Sequence, residues 1–161
     1  MKIRTVNTLD ISSWLLLSKE YDRYVQETAI NLTEWYEGND TSISFDKYMK
    51  AKIDKGEAFM AVNENNDCCG IIAISKKNNN ITFWGVSHGC DFELTGELLL
   101  SYALSQLNKS ICIKISEVKS EAKQIQKAYA LLNRFGFIYL CDTLENGITV
   151  SCLERAPDCP Q

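Results

Sequence analysis

The residues best placed to do chemistry lie between Ile81 and Leu100. Ile81–Val86 alternates like a strand, and from Thr95 to Leu107 the residues Leu98, Leu99, Tyr102 and Ala103 recur at helical spacing. A strand that turns into a helix leaves the first helical N–H groups without partners, at the positive end of the helix dipole. Such a turn is an anion site, fit for a diphosphate, through the backbone N–H groups between Phe92 and Glu97. Three carboxylates stand in the same turn: Asp91, Glu93 and Glu97. They favour the bare helix N-terminus and oppose a second anion there. His88, the one histidine of the chain, follows the strand and is a candidate general base; a loop histidine facing solvent fits the same position. Cys90 is the cysteine nearest the helix start, where a thiolate is stabilised, but no histidine pairs with it and the carboxylates act the other way.

The elements around this turn follow from periodicity. Lys2–Val6 reads as a short strand, and Asp10 as the N-cap of a helix whose apolar face is Ile11, Trp14, Leu15, Leu17 and Tyr21. Gln26–Tyr36 continues that helix or starts another, and Gly38-Asn39-Asp40 breaks it. Phe45–Ile53 is a second helix, with Ser44 as its cap and Gly56 after its end. The period then drops to two. Glu57–Asn63, Cys68–Ser75 and Ile81–Val86 are three strands joined by polar turns, an antiparallel meander. After the helix at Thr95 come a strand at Ile111–Val118, a helix at Ser120–Phe135 that stops at Gly136, and strands at Phe137–Cys141 and Ile148–Leu153. Asn146-Gly147 suits a hairpin turn between those last strands, in a loop that looks longer than two residues. The helical crossover makes the strands at Ile81 and Ile111 parallel neighbours. The order is β-α-α-β-β-β-α-β-α-β-β: an α/β fold, one mixed sheet with helices on its faces. Residues 1–155 make a single domain, and 156–161, with both prolines, a flexible tail.

Composition narrows the function classes. The chain has 161 residues, a net charge of −4 and no Lys/Arg cluster, which argues against a nucleic-acid partner. The longest apolar run near the N-terminus, Trp14–Leu17, is too short to span a bilayer, and no secretory signal precedes it. Seven cysteines, odd in number and irregularly spaced, read as small buried hydrophobes in a reducing cytoplasm rather than a disulfide framework. With one histidine, no zinc site is expected.

Two stretches resemble the GNAT superfamily of acyl-CoA-dependent N-acetyltransferases. In Ile81–Leu100, Val86 matches the family's strand Val, Gly96 the last glycine of its R/Q-x-x-G-x-G/A loop, and Leu99-Leu100 the leucine pair of its helix. Asp91 stands where the family has Arg or Gln, and Leu94 where it has the first glycine. In Ala128–Phe137, the residues Ala128, Leu131, Gly136 and Phe137 match A-x-x-L-Y-x-k-x-G-F, with Leu132 in place of the family's tyrosine and Ile125 in place of an asparagine that often precedes it.

The resemblance implies a GNAT-like fold and acetyl-CoA as co-substrate, with no metal. The strand around Trp84 and Val86 would pair with the pantetheine through its backbone. The turn at Phe92, Leu94, Thr95, Gly96 and Glu97 would hold the diphosphate. The reaction implied is transfer of an acetyl group to the primary amine of a small molecule or peptide. Tyr129 lies three residues before Leu132, on nearly the same helical face, and its phenol is the candidate acid for the departing thiolate; packing is its other reading. Trp35-Tyr36, with Tyr21 and Tyr24, either walls the acceptor groove or fills the core, and Glu34 and Glu37 flank it. The alternative function is a GNAT-like module without catalysis that binds acyl-CoA, another ligand or a protein. Homodimers are the commonest soluble assembly, so a homodimer is an open option.

Overall fold

The computed structural model describes residues 1–24, 45–145 and 148–159. The segment carrying Gln26–Tyr36, the glycine break at residue 38 and the cap at Ser44 lies outside the described residues, as do the side chains of Tyr21 and Tyr24. Along the chain run β1 (Lys2–Thr5), α1 (Ile11–Tyr24), α2 (Phe45–Asp54), β2 (Ala58–Val62), β3 (Cys68–Ser75), β4 (Asn80–Val86), α3 (Phe92–Gln106), β5 (Ile113–Val118), α4 (Lys123–Arg134), β6 (Phe137–Glu145) and β7 (Ile148–Arg155). This is the expected order, in one seven-stranded sheet arranged β1-β2-β3-β4-β5-β7-β6. Among the described residues only β4 and β5 pair in parallel, as the helical crossover requires; the other pairs are antiparallel.

Alternation in the central strands sorts their side chains to two cores. Ile72, Ile74, Trp84 and Val86 join Leu99, Leu100, Leu131 and Leu132 of α3 and α4 on one face. Ala58, Met60, Ile71 and Phe83 join Trp14, Leu17 and Met49 of α1 and α2 on the other. Both faces of the middle of the sheet are therefore dry, which is why β2 and β3 read as nearly continuous apolar runs. At the α2–β2 junction Lys52 is buried, its Nζ 3.3 Å from Glu57 and donating to the carbonyl of Ile74. Burial lowers the Lys52 pKa; it pushes that of Glu57 the other way, upward, but the Lys76 N–H and the Lys52 charge outweigh it and leave Glu57 below its ordinary value.

Four local expectations need correction. Asp10 is not an N-cap. Asn7 caps a 3-10 turn, Thr8–Asp10, and Asp10 closes its capping box by accepting the Asn7 N–H at 2.9 Å. The Asp10 carboxylate also takes both arms of the Arg4 guanidinium, at 2.7 and 2.8 Å. Second, α3 starts at Phe92 rather than Thr95, because Asp91 supplies the cap. Third, β6 runs on to Glu145 and pairs with Ile148, so two residues, not a longer loop, separate the last paired positions. Fourth, only Cys69 of the seven cysteines is buried; Cys141 and Cys159 are exposed, and the remaining four are intermediate. The helix stop at Gly136 is as expected: its φ of +85° is a backbone conformation that favours glycine.

Candidate active site

The parallel ladder between β4 and β5 is short. Its register covers Asn80↔Lys114 and Ile81↔Ile115 and goes no further. Beyond it, β4 from Phe83 to Val86 is still paired with β3, and β5 from Ser116 to Val118 with β7. The two strands therefore diverge, and the backbone edges that face each other across the opening carry no ladder. Such edges hold N–H and C=O groups that an extended ligand can pair with.

A cavity lies on each side of this opening. One, of about 310 Å³, is walled by Tyr48, Thr82 and Phe83 from the α2 side and by Ser116, Glu145 and Val150 from the right half of the sheet. The other is a narrow cleft of about 20 Å³ under α4, bounded by Val86, Phe92, Gln124, Ile125 and Ala128. Trp84 and Glu117 line both. They meet in the opening: the indole N–H donates to Glu117 Oε2 at 3.2 Å, and the Val118 N–H donates to Glu117 Oε1 at 3.1 Å. Glu117 is 2% exposed. A carboxylate is seldom so buried unless it is hydrogen-bonded and has work to do. On the wider side, Tyr48 and Thr82 share a hydroxyl–hydroxyl bond of 2.7 Å, and Ser116 holds Glu145 at 2.9 Å.

Sequence reasoning passed over Glu117, although a signal was there. Ile113, Ile115 and Glu117 share one face of an alternating strand, and all three are buried. A carboxylate in the apolar register of a strand is the oddity to look for.

The turn from β4 into α3 places the predicted anion-site residues as follows. The Asp91 carboxylate accepts the Leu94 N–H at 2.9 Å and the Asp91 carbonyl the Thr95 N–H at 3.0 Å. The chain itself thus occupies two of the donors expected to face an anion, while Phe92 and Glu93 come first in the helix with N–H groups pointing outward. Phe92 packs its ring on Trp84, centroids 5.9 Å apart. The Leu94 side chain is exposed, Thr95 is buried, and Gly96 faces α4. A Cβ on Gly96 would lie 2.5 Å from Leu131 Cδ2 and 3.4 Å from the Trp84 ring, so the glycine lets α3 and α4 approach. Arg134, at the end of α4, donates to Glu93 at 2.5 Å and to Glu97, and so offsets two of the three carboxylates.

Tyr129 projects from α4 to the back of β5. Its hydroxyl lies 3.3 Å from the carbonyl of Glu117 and 3.4 Å from that of Val118, and burial raises its pKa above the ordinary phenol value. Val86 is buried beside the narrow cleft. The backbone N–H of His88 donates to Glu20 at 3.0 Å. Cys90 packs on the α3–α4 core, and its thiol is pushed up to about 12, by burial first and by Cys69 next, which leaves it a thiol at neutral pH. Glu34, Trp35, Tyr36 and Glu37 lie outside the described residues. Among the described residues there is no cluster of metal-binding side chains, and no helix is long and apolar enough to cross a membrane.

No protein-family model matches the sequence and no curated protein matches it. Solved structures do. A GNAT-family acetyltransferase from Bacillus cereus superposes with a TM-score of 0.66 at 18% identity, covering 98% of both chains. The ribosomal-protein-S18-alanine N-acetyltransferase of Escherichia coli gives 0.65 at 13% identity, over 99% of this chain and 96% of that one. Naa50 of Arabidopsis thaliana, in complex with the bisubstrate analogue CoA-Ac-MVNAL, gives 0.64 at 17% identity, over 96% and 97%. With superposition of TM-score 0.64–0.66 over almost the whole length of each, this chain has the fold of the GNAT acetyltransferases.

Proposed function

We propose that this chain is an N-acetyltransferase that moves an acetyl group from acetyl-CoA to a primary amine, with the amine entering from the 310 Å³ cavity. The observation that carries the reading is the opening between β4 and β5, with a cavity on each side and Glu117 lining both. The residues present fit such a co-substrate. The unladdered edge of Trp84–Val86 offers backbone groups to an extended pantetheine, and Val86, Phe92, Ile125 and Ala128 give the arm apolar walls. The first N–H groups of α3, at Phe92 and Glu93, face the diphosphate, with Leu94, Thr95, Gly96 and Glu97 forming the turn behind them.

Each chemical task then has a residue of this chain. Glu117 accepts the proton that the amine loses as it attacks the thioester carbonyl. A backbone N–H of the β4 edge that carries no β5 ladder polarises that carbonyl. The Tyr129 hydroxyl, now turned to the Glu117 and Val118 carbonyls, is the nearest phenol on α4 that can turn toward the departing thiolate. Small amines and peptide N-termini both meet the requirement of an uncharged amine beside Glu117.

The test is Glu117→Gln, which keeps shape and loses the base. Acetyl transfer should fall about 10²–10⁴-fold at neutral pH while acetyl-CoA still binds by calorimetry. Wild-type transfer rates in the variant would refute the assignment. A second reading, a module that binds another ligand without catalysis, is favoured by one observation: Asp91 caps α3 from within. Absence of acetyl-CoA binding at millimolar ligand would select it.

A further inference from the structure

We propose that Cys141 and Cys152 are a redox site, a dithiol that closes to a cross-strand disulfide and reopens. The inference is independent of acetyl transfer. The two cysteines lie directly opposite each other in the antiparallel β6–β7 pair. Beyond the register shift between Tyr139 and Cys141 the ladder runs regularly to Glu145↔Ile148, so the pair sits in an ordered stretch. Opposed residues of an antiparallel pair point to the same face with Cα atoms about 4.5–5.5 Å apart, inside the 4.4–6.8 Å range of disulfides. The bridge therefore needs side-chain rotation and no change in pairing.

The surroundings favour exchange chemistry. Cys141 is exposed and Cys152 half-buried, so an oxidant reaches the first and the second is held behind it. Beside Cys152 Sγ stands Thr143 Oγ1 at 3.4 Å, a hydroxyl able to donate to a thiolate, whereas Ser116 Oγ, at 4.0 Å, gives its one proton to Glu145. Local desolvation and the facing Cys152 thiol hold the Cys141 pKa above the ordinary thiol value, so exchange is slow at neutral pH and accelerates at alkaline pH. The same hairpin sets Glu145 and Val150 in the wall of the wider cavity, which puts the bridge next to the proposed acceptor site.

The step balances with a small disulfide such as oxidised glutathione as oxidant. The Cys141 thiolate attacks one glutathione sulfur and expels a glutathione thiolate. The Cys152 thiolate then attacks the Cys141 sulfur of the mixed disulfide and expels the second. Two protein thiols are oxidised, one small disulfide is reduced, and the two thiol protons end on the two released glutathiones.

Incubation of the purified full chain with oxidised glutathione at mildly alkaline pH, followed by alkylation and peptide mapping, tests this. The expected product is a monomer that has lost two titratable thiols and the mass of two hydrogens, with Cys141 and Cys152 in one linked peptide pair. Dithiothreitol should restore both thiols. Cys141→Ser should abolish the linkage, and Cys152→Ser should stop at a glutathione adduct on Cys141. Circular dichroism of both variants separates loss of the pair from loss of fold. A stable glutathione adduct on wild-type Cys141, a Cys141–Cys141 dimer, or a bridge joining other cysteines in its place would overturn the proposal.

Discussion

The charge balance at the start of α3 hangs on a few side chains. Asp91, Glu93 and Glu97 all stand where a diphosphate is proposed to bind, and Arg134 holds two of them. Arg134→Ala leaves those two uncompensated, so affinity for acetyl-CoA should drop roughly tenfold at low ionic strength and recover as salt screens the repulsion. Glu93→Gln should move affinity the other way. Titration calorimetry at two salt concentrations checks both, and a salt-independent loss in Arg134→Ala would mean a packing effect instead. Folding stability should hardly change, because solvent screens exposed pairs of this kind. Tyr129→Phe removes a phenol whose present contacts are two backbone carbonyls. If the phenol serves the thiolate, kcat falls with KM unchanged and the alkaline limb of the rate profile is lost; if it only steadies β5, the profile keeps its shape. The sequence made the three carboxylates obvious and left their counter-charge invisible. Arg134 lies 41 residues beyond Glu93 and meets it only because α4 packs on α3. Glu117 was readable in principle, from its place in the alternation of β5, whereas its partner Trp84 is 33 residues away on another strand.

Elements were legible where one period dominated. The meander and the crossover at α3 follow from a switch between periods of two and 3.6, and the parallel β4–β5 pair follows from the crossover. The start of α3 was misplaced because its first turn, Phe92–Leu94, has no apolar period of its own; a cap hydrogen bond from Asp91 defines it. Gly96 belongs to this scale as well. Its sequence position suggested a glycine that lets a phosphate approach, and its surroundings add a helix–helix contact with Leu131. Gly96→Ala should therefore destabilise the fold by about 1–3 kcal/mol, the cost of overpacking, less the gain in helix propensity of about 1 kcal/mol. Leu131→Val in the same chain should recover part of the loss, because the clash is with a Leu131 methyl. Urea melts of the two single variants and the double variant form the cycle. Strict additivity would place the role of Gly96 elsewhere. At the other end of the meander, Glu57→Gln removes the charge facing buried Lys52 and should cost about 3 kcal/mol, more than any surface charge in the chain.

At the scale of the whole molecule, sequence reading delivered the class of fold and the element order but not the strand order. That β7 inserts between β5 and β6 is a long-range choice, fixed by burial of Leu153 and Val150, and no local pattern encodes it. The divergence of β4 from β5 is equally non-local, since it is the absence of a ladder between strands whose outer neighbours remain paired. Closure of the N-terminal edge is a related case with a pH signature. Among the described residues β1 pairs only with β2, and the Arg4–Asp10 fork ties it to the capping box that leads into α1. The Arg4 hydrogen bonds hold the Asp10 carboxyl below its ordinary range. A carboxyl with a folded pKa below its unfolded value of about 3.9 contributes its full stability above that value. The contribution disappears as pH falls through the lower, folded pKa, where the unfolded chain has already taken up its proton. Asp10→Asn should therefore lower the urea midpoint at about pH 6 and lose that deficit as pH falls through the lowered, folded pKa of Asp10, below which both chains carry a neutral group at this position. A deficit of the same size at both ends of the range would assign the loss to the capping hydrogen bond with Asn7 rather than to the ion pair with Arg4.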